Sequence, residues 1–197
     1  MSDLFHEQNP EAWIDSIFAI AALSRQHTFQ ILTKRPLFAE AYFDVVGRKK
    51  RILERANQID RLSSLPWPLP NVWLGTSVEN DSVSGRIMLI KGVKAALHFA
   101  SVEPLLMRLN KKTLSLLSEL DWVIIGGESG GGARPLHVEW VRDIVELLEK
   151  KDGVSCFVKQ LGSQPYFGMR KLRLKSRKGS DPSEWPIEFP RDFPLKK

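Results

Sequence analysis

NVWLGTSVE, residues 71–79, is the stretch whose reading decides the fold. An apolar run ends in small hydroxyl residues and then a glutamate. The same order returns at residues 96–104 (ALHFASVEP) and, with glycines as the small residues, at 122–130 (WVIIGGESG). The three runs begin about 25 residues apart, the length of one strand-plus-helix unit. Two more apolar runs, 27–33 (HTFQILT) and 155–160 (SCFVKQ), complete a set of five expected strands. Several are apolar on both faces, which suits a parallel sheet covered on both sides.

Helical patterns lie between most of these runs. Asn9-Pro10 reads as a cap followed by proline at the first helical position, and opens a helix through Leu23 with Trp13, Ile14, Ile17, Ile20 and Ala21 as its apolar stripe. Arg35-Pro36 opens a second helix ending before Ser63. A third is expected over residues 81–93, and a fourth over 137–151, stopping at Asp152-Gly153. Strand then helix, repeated, means parallel strands with right-handed crossovers. Polar residues end every strand, including Thr33-Lys34-Arg35 and Lys159-Gln160. Ligands bind at that end of all strands in a barrel, but only near the switch point of an open doubly wound sheet. The expectation is therefore an incomplete parallel (β/α) barrel over residues 1–162, with a basic, proline-containing C-terminal extension over 163–197. The open sheet is the alternative.

The charge supports that division. From Lys159 onward there are ten Lys and Arg against four Asp and Glu, whereas the rest of the chain holds nineteen of each. A neutral body argues against a nucleic-acid groove there. Six cations lie within residues 170–178 without an aromatic among them. This predicts only weak, salt-dependent nucleic-acid binding by the tail and no stacking. No apolar run approaches the length of a membrane span, and MSDLFHEQNP lacks the basic start of a secretory signal. A cytoplasmic protein with no membrane partner is expected. One cysteine, Cys156, and four scattered histidines give no recognisable metal-ligand spacing. Cys156 shares a strand face with Val154 and Val158, so a buried, inert thiol is expected.

Three features carry candidate chemistry. Gly126–Gly132 (GGESGGG) fits neither a dinucleotide fingerprint nor a phosphate loop followed by Lys-Ser or Lys-Thr. It is either a flexible turn or a loop lining a ligand, and its glycines beyond Glu128 favour the second. Arg134, close behind, is suited to holding an anion bidentately. The strand-end acids Glu79, Glu103 and Glu128 either ligate a hard metal, hydrogen-bond amino and hydroxyl groups of a ligand, or pair with bases such as Lys34, Arg35 and Lys159 in a structural network.

Residues 1–7 (MSDLFHE), 26–36 (QHTFQILTKRP), 71–79, 100–105 (ASVEPL), 121–135 (DWVIIGGESGGGARP), 157–162 (FVKQLG) and 181–185 (DPSEW) together resemble a family found in phages and prophages. The motifs run in order along essentially the whole chain. That family looks like a radical S-adenosylmethionine protein on a (β/α) barrel, with an N-terminal cysteine-rich segment for an iron–sulfur cluster. The resemblance implies S-adenosylmethionine and a [4Fe–4S] cluster as cofactors of a full-length relative, and neither cofactor in this chain, which lacks the cysteine-rich segment. It carries Asp3, Lys34, Ser77, Glu79, Ser101, Glu103, Glu128 and Lys159 over as strand-end residues of the ligand mouth. Glu128 with Gly126 and Gly127 is the expected contact for a ligand amino group. Met1–Glu7 has the polar end of a β/α unit without its strand, so the missing strands are expected upstream of Met1, through a split gene or a different start site. The expected function is the C-terminal portion of such a protein, inactive without the cysteine-rich segment and with a small-molecule or macromolecular substrate. The alternatives are a non-catalytic remnant that binds nucleic acid or protein through its tail, and a metal-dependent hydrolase built on the three glutamates.

Overall fold

The structure, a computed structural model, describes residues 3–194. It divides into two compact units, one holding residues up to 76 together with 88–98, the other residues 77–87 together with 99 onward.

In the first unit, helix α1 spans Glu11–Leu23. It starts one residue later than Asn9-Pro10 suggests, because the Asn9 amide donates to the Asp3 and Leu4 carbonyls instead of capping the helix. Its buried face is Ile14, Asp15, Phe18, Ala19, Ala21 and Ala22, while Trp13, Ile17 and Ile20 are exposed. The expected stripe is therefore rotated. Asp15 is an acid on the inward face, and a hydrophobicity pattern cannot anticipate it. Strand β1, Phe29–Thr33, follows. The single helix expected after Pro36 is two, α2 (Pro36–Asp44) and α3 (Arg48–Asn57). Gly47 takes φ +86° between them, a left-handed conformation that ends one helix and lets the next set off in a new direction. Strand β2, Val72–Ser77, is buried at every position and runs parallel to β1, with Phe29 opposite Val72 and Thr33 opposite Thr76.

A buried ionic network joins α1 to α3. Arg48 is 2% exposed and pairs with Asp15 at 3.0 Å. Its Nε donates to the Tyr42 carbonyl at 2.8 Å, and its guanidinium lies 3.7 Å from the centroid of the Tyr42 ring. The Tyr42 hydroxyl donates to Asp15 at 2.7 Å. Burial first, and then the Asp15 carboxylate, push the Tyr42 hydroxyl far above its ordinary pKa, which keeps it a neutral donor. Glu11 lies 3.1 Å from Arg48 Nη2, an ion-pair contact without hydrogen-bond geometry.

After the short helix α4 (Gly85–Gly92), strand β3 spans Leu97–Val102. The second unit then continues with α5 (Lys111–Leu117), β4 (Trp122–Gly126), β5 (Leu136–His137), α6 (Val138–Leu148), β6 (Ser155–Gln160), β7 (Pro165–Phe167) and β8 (Arg170–Lys171). Helix α5 is not apparent from periodicity, but Asn110 caps it by accepting from the Thr113 N–H at 2.9 Å. Helix α6 buries Val138, Val141, Ile144, Val145 and Leu148, one stripe at helical spacing. β4 runs parallel to β3 on one side and to β6 on the other. Its near-continuous burial explains why WVIIG is apolar without alternation.

Strand order is β1-β2-β3-β4-β6 in a mostly parallel five-stranded sheet, and β5-β7-β8 in a small second sheet. Six α-helices accompany them among the described residues. The fold is α/β. Near the end of the described chain, the Val158 N–H donates to the Pro190 carbonyl and the Asp192 N–H to the Cys156 carbonyl, so this segment pairs antiparallel along β6. That pairing satisfies an edge that would otherwise be open. Trp185 and Phe189 are buried beneath it, and the Trp185 indole donates to the Gly179 carbonyl at 2.9 Å. The extension is therefore pinned, although its polar, proline-rich composition resembles a loose tail.

Candidate functional site

The carboxyl ends of β2, β3, β4 and β6 bring most of the sequence-derived candidates into the second unit, and each glutamate meets a base. Glu79, two residues beyond β2 and 9% exposed, accepts from Arg86 Nη1 at 3.1 Å. The same nitrogen donates to the Ser77 carbonyl at 3.1 Å, which fixes the guanidinium across the strand end. Glu103, just beyond β3, accepts from Ser101 Oγ and from Lys159 Nζ, both at 3.3 Å. Glu128, just beyond β4, takes Arg134 in a two-toothed pair with Nε at 2.8 Å and Nη2 at 2.9 Å, and also accepts the Arg134 backbone N–H at 2.8 Å.

Glu128 with Arg134 is the most polarised of these pairs. The side-chain and backbone hydrogen bonds from Arg134 hold the Glu128 carboxyl down at about 2. A carboxyl with a lowered pKa contributes while ionised, so the pair persists above the ordinary carboxylate range and is lost only as pH falls through about 2. Arg134 is raised chiefly by the Glu128 hydrogen bond and also feels the charge of Glu79. Both Glu128 and Arg134 stand in solvent, with side chains 30% and 57% exposed.

Gly126 and Gly127 have packing reasons to be glycine. A Cβ on Gly126 would run into the Glu103 carboxylate, so this glycine is what lets Glu103 lie across the end of β4. A Cβ on Gly127 would run into the Leu161 carbonyl oxygen and come within 2.9 Å of the Gly162 nitrogen. The Gly127 N–H donates to the Gln160 carbonyl at 3.0 Å, and the Gln160 amide returns a bond to the Gly127 carbonyl at 3.1 Å. The ends of β4 and β6 are thereby clasped by one backbone bond and one from the Gln160 side chain. The rest of the loop differs. Gly130, Gly131 and Gly132 have open space where a side chain would stand.

Asp3 and Lys34 belong to the first unit. Asp3 Oδ1 accepts from Thr33 Oγ1 at 2.7 Å and from the Phe5 N–H, while Oδ2 accepts the Lys34 N–H at 2.8 Å. Asp3 thus ties the start of the described chain to the end of β1. Arg86, Gln160 and Gly162 are partners that sequence reasoning did not single out. Arg86 carries one usable signal, its position seven residues after a strand-end acid, where the following helix returns.

Residues 1–182 match the family described as protein of unknown function DUF5131. The chain belongs to this family. Comparison with curated proteins found no match, and comparison with solved structures found none.

The residues of this DUF5131 chain do not fit an iron–sulfur cluster. Such a cluster is held by several thiolates. Cys156 is the sole cysteine, it lies buried in β6, and burial pushes its thiol up to about 12. Nor do the three glutamates form a carboxylate cage. No group of three or more His, Cys, Asp or Glu is placed to hold a metal among the described residues. What the DUF5131 strand ends offer is a row of fixed charges of both signs beside an open glycine loop.

Proposed function

We propose that the strand ends of this chain bind a zwitterionic ligand of the amino-acid type. Glu128 takes its ammonium group and Arg134 its carboxylate, in the ligand end of a phage-type, radical-S-adenosylmethionine-like (β/α) barrel. The observation that carries the reading is the exposed, two-toothed Glu128–Arg134 pair next to the open glycines 130–132. An α-amino acid presents a cation and a carboxylate at the spacing needed to replace that pair with two charge-assisted contacts. S-adenosylmethionine carries that group. Radical chemistry on it would need a cluster that the single cysteine of this sequence does not fit, and no such step is assigned to these residues. The ion pairs Glu103–Lys159 and Glu79–Arg86 stand at the neighbouring strand ends and add their charges to the site.

Calorimetric titration tests this. S-adenosylmethionine and L-methionine are expected to bind, and their N-acetyl and methyl-ester forms to fail, because each lacks one of the two charges. Glu128→Gln is expected to weaken binding about tenfold or more, since a charge-assisted contact becomes a neutral one. Its melting temperature is expected to stay close to the parent's, because surface substitutions away from the core change stability little. Binding that ignores blocked amino groups, or that survives Glu128→Gln unchanged, would refute the assignment.

A further inference from the structure

The basic stretch KLRLKSRK, residues 171–178, is not a loose tail. Its backbone is held at several points. The Leu172 N–H donates to the Pro165 carbonyl at 2.9 Å, and the Lys175 and Ser176 N–H groups donate to the Glu184 carboxylate at 3.1 Å. The Arg177 carbonyl accepts from Ser163 Oγ at 2.7 Å. Along it exposure alternates. Lys171, Arg173, Lys175 and Arg177 are exposed, while Leu172, Leu174 and Ser176 are half-buried. Lys171 ends β8 and the chain bends at Lys175 and turns at Arg177, so the alternation turns these four cations outward along an irregular path. Lys171, Arg173 and Arg177 border a groove of about 240 Å³, together with Ser163 and Leu172. No salt bridge among the described residues engages these three cations.

Beside this ribbon lies an aromatic row that the chain order hides. In the second sheet His137 stands opposite Tyr166, and Tyr166 opposite Lys171, so the three share one face across β5, β7 and β8. The Tyr166 and His137 rings stack at 5.5 Å, and Trp140 meets His137 at 4.6 Å. All three rings are half-buried, so each presents part of its surface to solvent. Cations outside any salt bridge next to partly exposed, mutually packed aromatic rings are a combination that holds single strands, with phosphates on the cations and bases against the rings.

We propose that residues 171–177, together with Tyr166, His137 and Trp140, form a binding surface for single-stranded nucleic acid. This surface uses none of the residues assigned to the amino-acid site, so it stands or falls separately. The stacking half reverses the expectation drawn from the sequence, where no aromatic lies within the basic run. The second sheet supplies the rings of His137 and Tyr166, and helix α6 that of Trp140.

Fluorescence anisotropy with fluorescein-labelled oligo-dT and oligo-rU of 15 nucleotides tests the proposal on the intact chain. Four phosphates met by four cations give a salt slope of about −3, so affinity is expected to fall roughly 50-fold between 50 and 200 mM salt. The double variant Lys171→Glu with Arg173→Glu is expected to weaken binding more than tenfold. Tyr166→Leu is expected to weaken it more than fivefold, and Tyr166→Phe to keep it. Circular dichroism of each variant separates lost binding from lost folding. The absence of binding at low salt would overturn the proposal. So would affinity for a duplex or for inorganic polyphosphate equal to that for the single strand, with Tyr166→Leu silent.

Discussion

Arg48→Met is expected to lower stability by about 3 kcal/mol, because it removes the buried partner of Asp15 and leaves that carboxylate balanced only by the more exposed Arg51. Arg48 and Asp15 are 2% and 5% exposed, so solvent does little to screen the loss. After the substitution Asp15 keeps the Tyr42 hydroxyl and a 3.3 Å contact from Arg51 Nε, but loses the guanidinium that balances it. The Tyr42 carbonyl loses its donor as well. Equilibrium urea unfolding reads the effect as a lower midpoint at unchanged slope. The triple variant Asp15→Leu, Tyr42→Phe and Arg48→Met, which also removes the Tyr42 hydroxyl that donates to Asp15, should recover most of the loss, since replacing a buried pair by apolar groups is often close to neutral. A single variant within about 1 kcal/mol of the parent would show that α1 and α3 are not joined by this pair.

Gly127→Ala is the second large effect. Its Cβ would meet backbone atoms, the Leu161 carbonyl and the Gly162 nitrogen, which cannot swing aside as a side chain can. Gly162 is confined in return. It sits at φ +78°, and a Cβ there would lie 2.5 Å from the Glu128 carbonyl oxygen. Separating two hydrogen-bonded strand ends is expected to cost about 3 kcal/mol, and ligand binding should fall with it because Glu128 is the next residue. Gly131→Ala is the internal control. It lies four residues on in the same loop, has nothing near its Cβ, and should change stability by less than about 0.5 kcal/mol. Thermal and urea unfolding of the two variants check the contrast. Similar losses at both positions would mean that the loop needs its glycines for flexibility, not for close packing.

Much of the fold was legible because its determinants are local. The strand cores around residues 72–76, 97–100, 122–126 and 155–160 are short apolar runs bounded by polar residues, and such runs have few alternatives in a covered parallel sheet. Three features were not legible. The break at Gly47 lies inside a stretch with a helical pattern on both sides. Helix α5 is too short for periodicity to register. The pairing of the chain's last segment along β6 is a long-range contact between stretches with no pattern in common. In the candidate site, the recurring strand-end acid was visible, and so was the option that each acid pairs with a base. Lys159 for Glu103 could be named beforehand, since the two stand at the ends of strands expected to lie in one sheet. Arg86 for Glu79 leaves only the hint of its spacing, and Arg134 for Glu128 depends on how the loop turns back, which residue order does not carry. Gly126 and Gly127 were read as ligand-facing because a glycine that admits a neighbouring carboxylate or backbone looks the same in sequence as one that admits a ligand.

Opening of the Glu128–Arg134 pair to admit an amino acid, as proposed above, is reported directly by the Arg134 side chain. In a ¹H–¹⁵N spectrum its Nε–H, bonded to Glu128 at 2.8 Å, should give a dispersed resonance identified by its loss in Arg134→Lys. This signal is expected to move to a new position as S-adenosylmethionine or methionine is added, saturating with the calorimetric curve, and to stay still with the N-acetyl or methyl-ester forms. A resonance that remains in place at ligand saturation would contradict it.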